Sequence, residues 1–157
     1  MEEAKKINVT FRISSIKTVR FNINNSEEVR NIDRKSFFFN ISLGTFINPA
    51  NKIIGFDVIQ FVSLDKEMSN KVSELISHIE FEIVNFDEIV QKSDKLNEIK
   101  IPDQIMLTLV SISLSTARGI FAAKVEGSAL EGVYMPVIDP ATFKKIPLPS
   151  KEIAEAK

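Results

Sequence analysis

Hydrophobic positions recur at every second residue through the first half of the chain, the period of a strand with one wet face. Ile7, Val9, Phe11 and Ile13 share a side against Asn8, Thr10 and Arg12, and after Ser14 and Ser15 the alternation resumes at Val19, Phe21 and Ile23. Phe37, Phe39, Ile41 and Leu43 form the next such face. The stretch from Ile53 to Leu64 is apolar on both sides, which places it in the middle of a sheet. A fourth run sets Leu75, Ile79, Phe81 and Ile83 opposite Glu74, His78, Glu80 and Glu82. The connections at 48–52 and 64–71 are too short for crossovers and join antiparallel neighbours. The pattern predicts a meander-like sheet of four strands, covered on one face only.

The period then changes. Gln104, Thr108, Ser111, Ser115 and Arg118 recur at spacings of four and three, one polar stripe on an otherwise apolar helix. A strand would scatter the same hydroxyls over both faces. Pro102 and Asp103 make a sound opening, so the spacing predicts a helix over 105–121. A helix apolar around most of its girth needs cover on more than one side, which another subunit would supply and a single sheet would not. Thr108, Ser111 and Ser115 are therefore the candidate oligomer seam. Arg118, near the expected helix end, suits the last carbonyls or a ligand. Beyond it GSALEGVYMPVIDP is irregular, Asp139 and Pro140 open a short second helix over ATFKKI, and PLPSKEIAEAK is a loose tail. The expected fold class is α+β: a four-stranded antiparallel sheet with one long and one short C-terminal helix. A single domain spans 1–157, with its core at about 7–147 and the tail at 148–157.

Composition narrows the chemistry. A length of 157 residues with 44% hydrophobic content fits one core. Lys and Arg number 20 against 21 Asp and Glu, a net of −1, so no basic field is available for nucleic acid. With no cysteine and one histidine, disulfides, thiolate sites and any centre needing two His ligands are excluded. No base stands at a readable spacing from the hydroxyl stripe and no glycine-rich phosphate loop is present, so neither an enzyme nor a cofactor is expected. The start MEEAKKINVTF has no apolar stretch of the signal-peptide kind, and no unbroken run of 18 apolar residues occurs. Those readings point to a cytoplasmic protein without a membrane span.

Charge is uneven: from Leu64 to Asp103 ten acids face five lysines, a local net of −5. Glu74, His78, Glu80 and Glu82 fall on one strand face, as a solvated acidic surface or a partner-docking surface. Alternate side chains on a strand stand about 6–7 Å apart, which argues against convergence on a metal. In Phe37-Phe38-Phe39, burying the outer two turns Phe38 outward. Either a loop or neighbouring subunit covers that apolar surface, or it is a groove for a client polypeptide. Phe37, Phe39 and Ile41 would form one wall, and Tyr134, Met135, Phe143 and Ile146 the other.

The order of four alternating strands, a long helix carrying Ser115-Thr116-Ala117-Arg118-Gly119-Ile120-Phe121, and then Leu130-Glu131-Gly132-Val133-Tyr134-Met135-Pro136-Val137-Ile138-Asp139-Pro140 resembles the SecB family of bacterial export chaperones. Phe11-Arg12-Ile13-Ser14-Ser15-Ile16, followed by Lys17-Thr18, is similar to that family's first strand, and the resemblance covers roughly 9–147. It implies a dimer of dimers with the long helices packed between dimers. It further implies ATP-independent holding of unfolded precursors in apolar grooves, and handover to the motor SecA on an acidic sheet face. Some relatives instead guard a toxin's partner antitoxin. The family's acidic docking positions on the first strand line up here with Arg20 and Asn24, and its motor-binding tail has no counterpart in PLPSKEIAEAK. From the residues alone two other classes stand beside a holdase: an interaction domain with one dedicated partner, and a small-molecule binder with the sheet curled around an apolar pocket.

Overall fold

The computed structural model describes residues 8–93 and 98–143. It bears out the α+β class, with strands β1 (Phe11–Ile23), β2 (Phe38–Asn48), β3 (Ile53–Ser63) and β4 (Lys71–Ile83), and the long helix α3 (Asp103–Val125). Two four-residue helices, α1 (Glu27–Arg30) and α2 (Phe86–Ile89), and a small ribbon of β5 (Gln91–Ser93) and β6 (Glu98–Lys100) complete the order. The short C-terminal helix is a single 3₁₀ turn, Pro140–Phe143. Asp139 caps it as expected, accepting from the Ala141 N–H at 2.9 Å.

The sheet departs from a simple meander. Its order is β1-β4-β3-β2, so β2, β3 and β4 are consecutive antiparallel neighbours while β1 pairs beyond β4. The doubly apolar β3 is internal, as its pattern demanded. The chain must therefore cross from one edge to the other between Ile23 and Phe38. Ser26 opens α1 there by accepting from the Val29 N–H at 3.3 Å, and Val29 is buried. The crossing is fastened to the turn after α3: the Ala129 N–H donates to Asn25 Oδ1 at 2.6 Å, and Arg34 Nη1 donates to the Ala129 carbonyl at 3.0 Å.

Tight turns explain the other connections. Lys52 (φ 56°) closes the β2–β3 hairpin in the left-handed region, with Asn48 Oδ1 accepting from Asn51 N–H. In the β3–β4 loop the Asp65 carboxylate accepts from the Ser69 and Asn70 N–H groups. The Ser69 hydrogen bond is the largest influence, and together with those from Asn70 and Ser63 it holds the carboxyl below the usual range against the opposing effect of burial. On β1, register shifts between Ile13 and Ser15 and between Thr18 and Arg20 mark two bulges.

One sheet face is covered by α3 and the segment that follows it; the other faces solvent. Alternate positions of β3 and β4 point inward, among them Phe56, Val58, Phe81 and Ile79, all fully buried. Each such side chain contributes about 1.5–3 kcal/mol by leaving water. The core forms two clusters. One joins Phe56, Phe81, Leu109 and Ala117; the other joins Val29, Val62, Leu75, Phe121 and Leu130. Gln60 and Ser77 lie buried between them on the inner sheet face.

The helix runs to Val125, past the end expected at Phe121: Gly119 is accommodated within it, and the chain turns only at Gly127, whose φ is 73°. Arg118 is thus two turns from the last carbonyls and does not cap them. One stripe of α3 (Ile105, Leu109, Ser113, Ala117, Phe121) is buried. By length and mean hydropathy alone, 1.6 over 18 residues, α3 also meets the requirement of a membrane span, although it holds no unbroken apolar run of that length.

Candidate functional site

Two surfaces collect the residues singled out in the sequence: an apolar cleft at the β2 edge and the outward face of the sheet. On β2 the triplet behaves as its period requires, with Phe38 outward at 41% exposure, Phe37 buried and Phe39 half-buried. Phe37 at 6% and Met135 at 5% are core residues packed in the cluster around Phe121, and this corrects their placement as open groove walls. Tyr134, next to Met135 on the segment that follows α3, is 72% exposed, and Val137 is 83% exposed. Phe143 is half-buried and packs against the larger cluster; Ile146 lies outside the described residues.

Between the β2 edge and α3 lies a cleft of about 190 Å³. Ile41 and Leu114 form its apolar wall, and Pro136, Val137, Ile138 and Pro140 close it opposite the helix. Ser111, Ser115 and Arg118 line it from α3. Two of the three predicted seam residues, Ser111 and Ser115, therefore face a segment of the same chain, and Thr108 is left outward. The seam hydroxyls also differ in state. Thr108 and Ser111 donate to the carbonyls of Gln104 (2.9 Å) and Leu107 (2.7 Å) in their own helix. Their donors are thus used within the helix.

The outward face is ordered by strand register into cross-sheet rows. Arg12, Glu82, Ile53 and Asn48 form one; Lys17, His78, Asp57 and Gly44 another; Asn22, Glu74, Phe61 and Asn40 a third. Register places Glu74, Glu80 and Glu82 together there, as the alternation predicted, and supplies each with a partner. Arg12 binds Glu82 at 2.6 Å, Arg20 reaches Glu74 at 3.4 Å, and His78 Nε2 lies 3.1 Å from Glu80 Oε1. His78 Nδ1 lies 2.7 Å from Asp57 Oδ1 on the neighbouring strand.

Both imidazole nitrogens thus face carboxylate oxygens, which accept and do not donate when ionised. Only the imidazolium can donate to both. Burial pulls the His78 pKa down, but the hydrogen bonds and charges of Asp57 and Glu80 outweigh it and hold the pKa above the ordinary imidazole value. The Phe46 ring stacks on the imidazole, with centroids 4.9 Å apart and planes 9° apart. Gly55 makes the seat for that ring: a Cβ there would lie 2.0 Å from Phe46 Cζ. Arg12, Lys17, Arg20 and Lys71, the last over the outward Phe61 ring, equal Asp57, Glu74, Glu80 and Glu82 in number, so the predicted acidic surface carries no excess of acid. The sequence missed Asp57 because only cross-strand register brings it beside His78. Among the described residues, no group of three acidic or histidine side chains is arranged to hold a metal ion.

No family model matches the chain, and no curated protein matches it in sequence.

Proposed function

We propose that the protein is an ATP-independent holdase of the SecB type, which keeps unfolded polypeptides from aggregating on the apolar surface around the β2 edge. The observation that carries this reading is the exposed apolar surface on both sides of the β2 edge: Val137, 83% exposed, lines the cleft with half-buried Ile41, Tyr134, 72% exposed, stands on the same segment, and Phe38, 41% exposed, lies on the outward face of the strand. Each client side chain sheltered there would contribute about 1.5–3 kcal/mol. Ordering a client costs several kcal/mol or more, so single contacts fail and linked sites on an oligomer succeed.

A homotetramer, a dimer of dimers, supplies those linked sites. The free β1 edge supports it, with Ile13, Ile16 and Val19 exposed at 44%, 48% and 62%, as does the uncovered outer side of α3. We place the protein in the cytoplasm. Handover to the motor SecA is the weaker half of the family reading, because Arg12, Arg20 and His78 occupy the acids that would steer a basic partner. The same observation favours a relative that holds a dedicated client such as an antitoxin.

The test is suppression of aggregation of two unrelated denatured proteins, at stoichiometric chaperone and without nucleotide. Tyr134→Asp and Val137→Asp change exposed side chains, so both variants should stay folded and hold clients poorly. A folded wild type that protects neither client would end the reading, and protection of one client alone would favour a dedicated partner.

A further inference from the structure

We infer that Ser115 and Arg118 form a carboxylate anchor in the cleft, so that the preferred client segment carries an acidic residue beside a large apolar one. This rests on the holdase reading and makes it specific. Three observations meet at one place. The cleft, about 190 Å³, is closed by Ile41 and Leu114 on one side and Pro136–Pro140 on the other. A dry apolar cavity of about 150 Å³ admits a benzene ring, so the cleft has room for one leucine or phenylalanine side chain.

The second observation is Arg118. It sits on α3 two turns before the helix ends, is half-buried, lines the cleft, and has no ion pair among the described residues. The outward arginines Arg12 and Arg20 are by contrast each matched to a glutamate. A guanidinium at the edge of an apolar cleft is a planar, always-charged donor suited to a carboxylate. The nearest acid in the cleft-lining segment, Asp139, is used as the cap of its own turn through the Ala141 N–H.

Third, Ser115 stands one turn before Arg118 on the same helix face and also lines the cleft. Thr108, Ser111 and Ser113 each donate to the carbonyl four residues back, whereas Ser115 Oγ makes no such bond among the described residues. A free hydroxyl and a free guanidinium thus face the same space, a pair of donors beside an apolar slot. Extended peptide fits this arrangement better than a folded surface, because the slot takes a single side chain and the donors lie at its edge.

Fluorescence anisotropy with three labelled peptides tests it: one 12-residue frame carrying Leu-Asp, Leu-Asn or Ser-Asp at its centre. Wild type should bind the Leu-Asp peptide about tenfold more tightly than Leu-Asn, and Ser-Asp more weakly still. Arg118→Gln should erase the Asp-over-Asn preference, and Ser115→Ala should halve the preference or more. Circular dichroism establishes that each variant is folded. An equal preference in wild type and Arg118→Gln overturns the anchor, as does equal binding of Leu-Asp and Leu-Asn by wild type. If denatured proteins are protected while no peptide binds, the anchor fails and the holdase stands. If Leu-Asp binds selectively but denatured proteins are not protected, the anchor stands and the general holdase fails.

Discussion

His78 offers the sharpest test of the outward face, because it is the chain's single histidine and gives one unambiguous imidazole resonance. Its two nitrogens hold Asp57 at 2.7 Å and Glu80 at 3.1 Å, joining β3 to β4. Hydrogen bonds to charged groups contribute about 1.5–3 kcal/mol each when sheltered. The Asp57 side chain is 45% exposed and Glu80 26%, so solvent screening reduces each to about 0.5–1 kcal/mol. The pair is then worth about 1–2 kcal/mol, or roughly 2–8 °C in Tm at this chain length. The sign follows from the raised pKa: the contribution is complete below the unfolded value of about 6.5 and is lost as pH rises through the folded-state pKa. Thermal unfolding of wild type and His78→Gln, run from pH 5.5 to 9, should show a gap that closes with rising pH. The imidazole resonance should titrate above the ordinary value over the same interval. A gap of constant size across that range would refute the imidazolium assignment.

Three further outcomes follow from the packing. Phe121→Ala should cost about 3–5 kcal/mol in urea unfolding, since the side chain is fully buried in the second cluster. Gly55→Ala should push Phe46 off His78 and shift the imidazole resonance. Net stability should change by less than about 1 kcal/mol, because replacing a strand glycine recovers about 0.5–1 kcal/mol; an unmoved resonance would contradict the seat. Asn25→Ala removes the acceptor for the Ala129 N–H, so that amide should exchange with solvent faster, at a stability cost of about 1 kcal/mol.

Local period carried most of the fold. Alternation at Phe37–Leu43 and Leu75–Ile83, and the change to a helical period after Pro102, located three strands or helices that the structure contains. The order of strands was not legible, because pairing of Phe21 with Leu75 depends on which edge of the meander the first strand joins, and nothing near either residue encodes it. The same gap hid the neutral face. Glu74, His78, Glu80 and Glu82 were visible together on one side, but Arg20 and Arg12, the partners of Glu74 and Glu82, are assigned by register across 54 and 70 positions. At Met135 and Tyr134 the sequence marked the apolar pair, and only packing decided that Met135 turns inward and Tyr134 outward. Arg118 was misplaced for a simpler reason: Gly119 stays within the helix instead of ending it.

The polar pair at the centre of the core has a consequence for how the molecule opens. Gln60 and Ser77 interrupt the apolar contact between the two clusters, yet β3 and β4 run unbroken through both. Backbone ladders bind the halves while side chains divide them. Amide exchange should therefore resolve two opening units along the same strands, with the Phe121 end of α3 lifting from the sheet while Phe56 and Phe81 remain closed. That end adjoins Ile41 and the cleft, so partial opening would widen the apolar slot without melting the sheet that carries it.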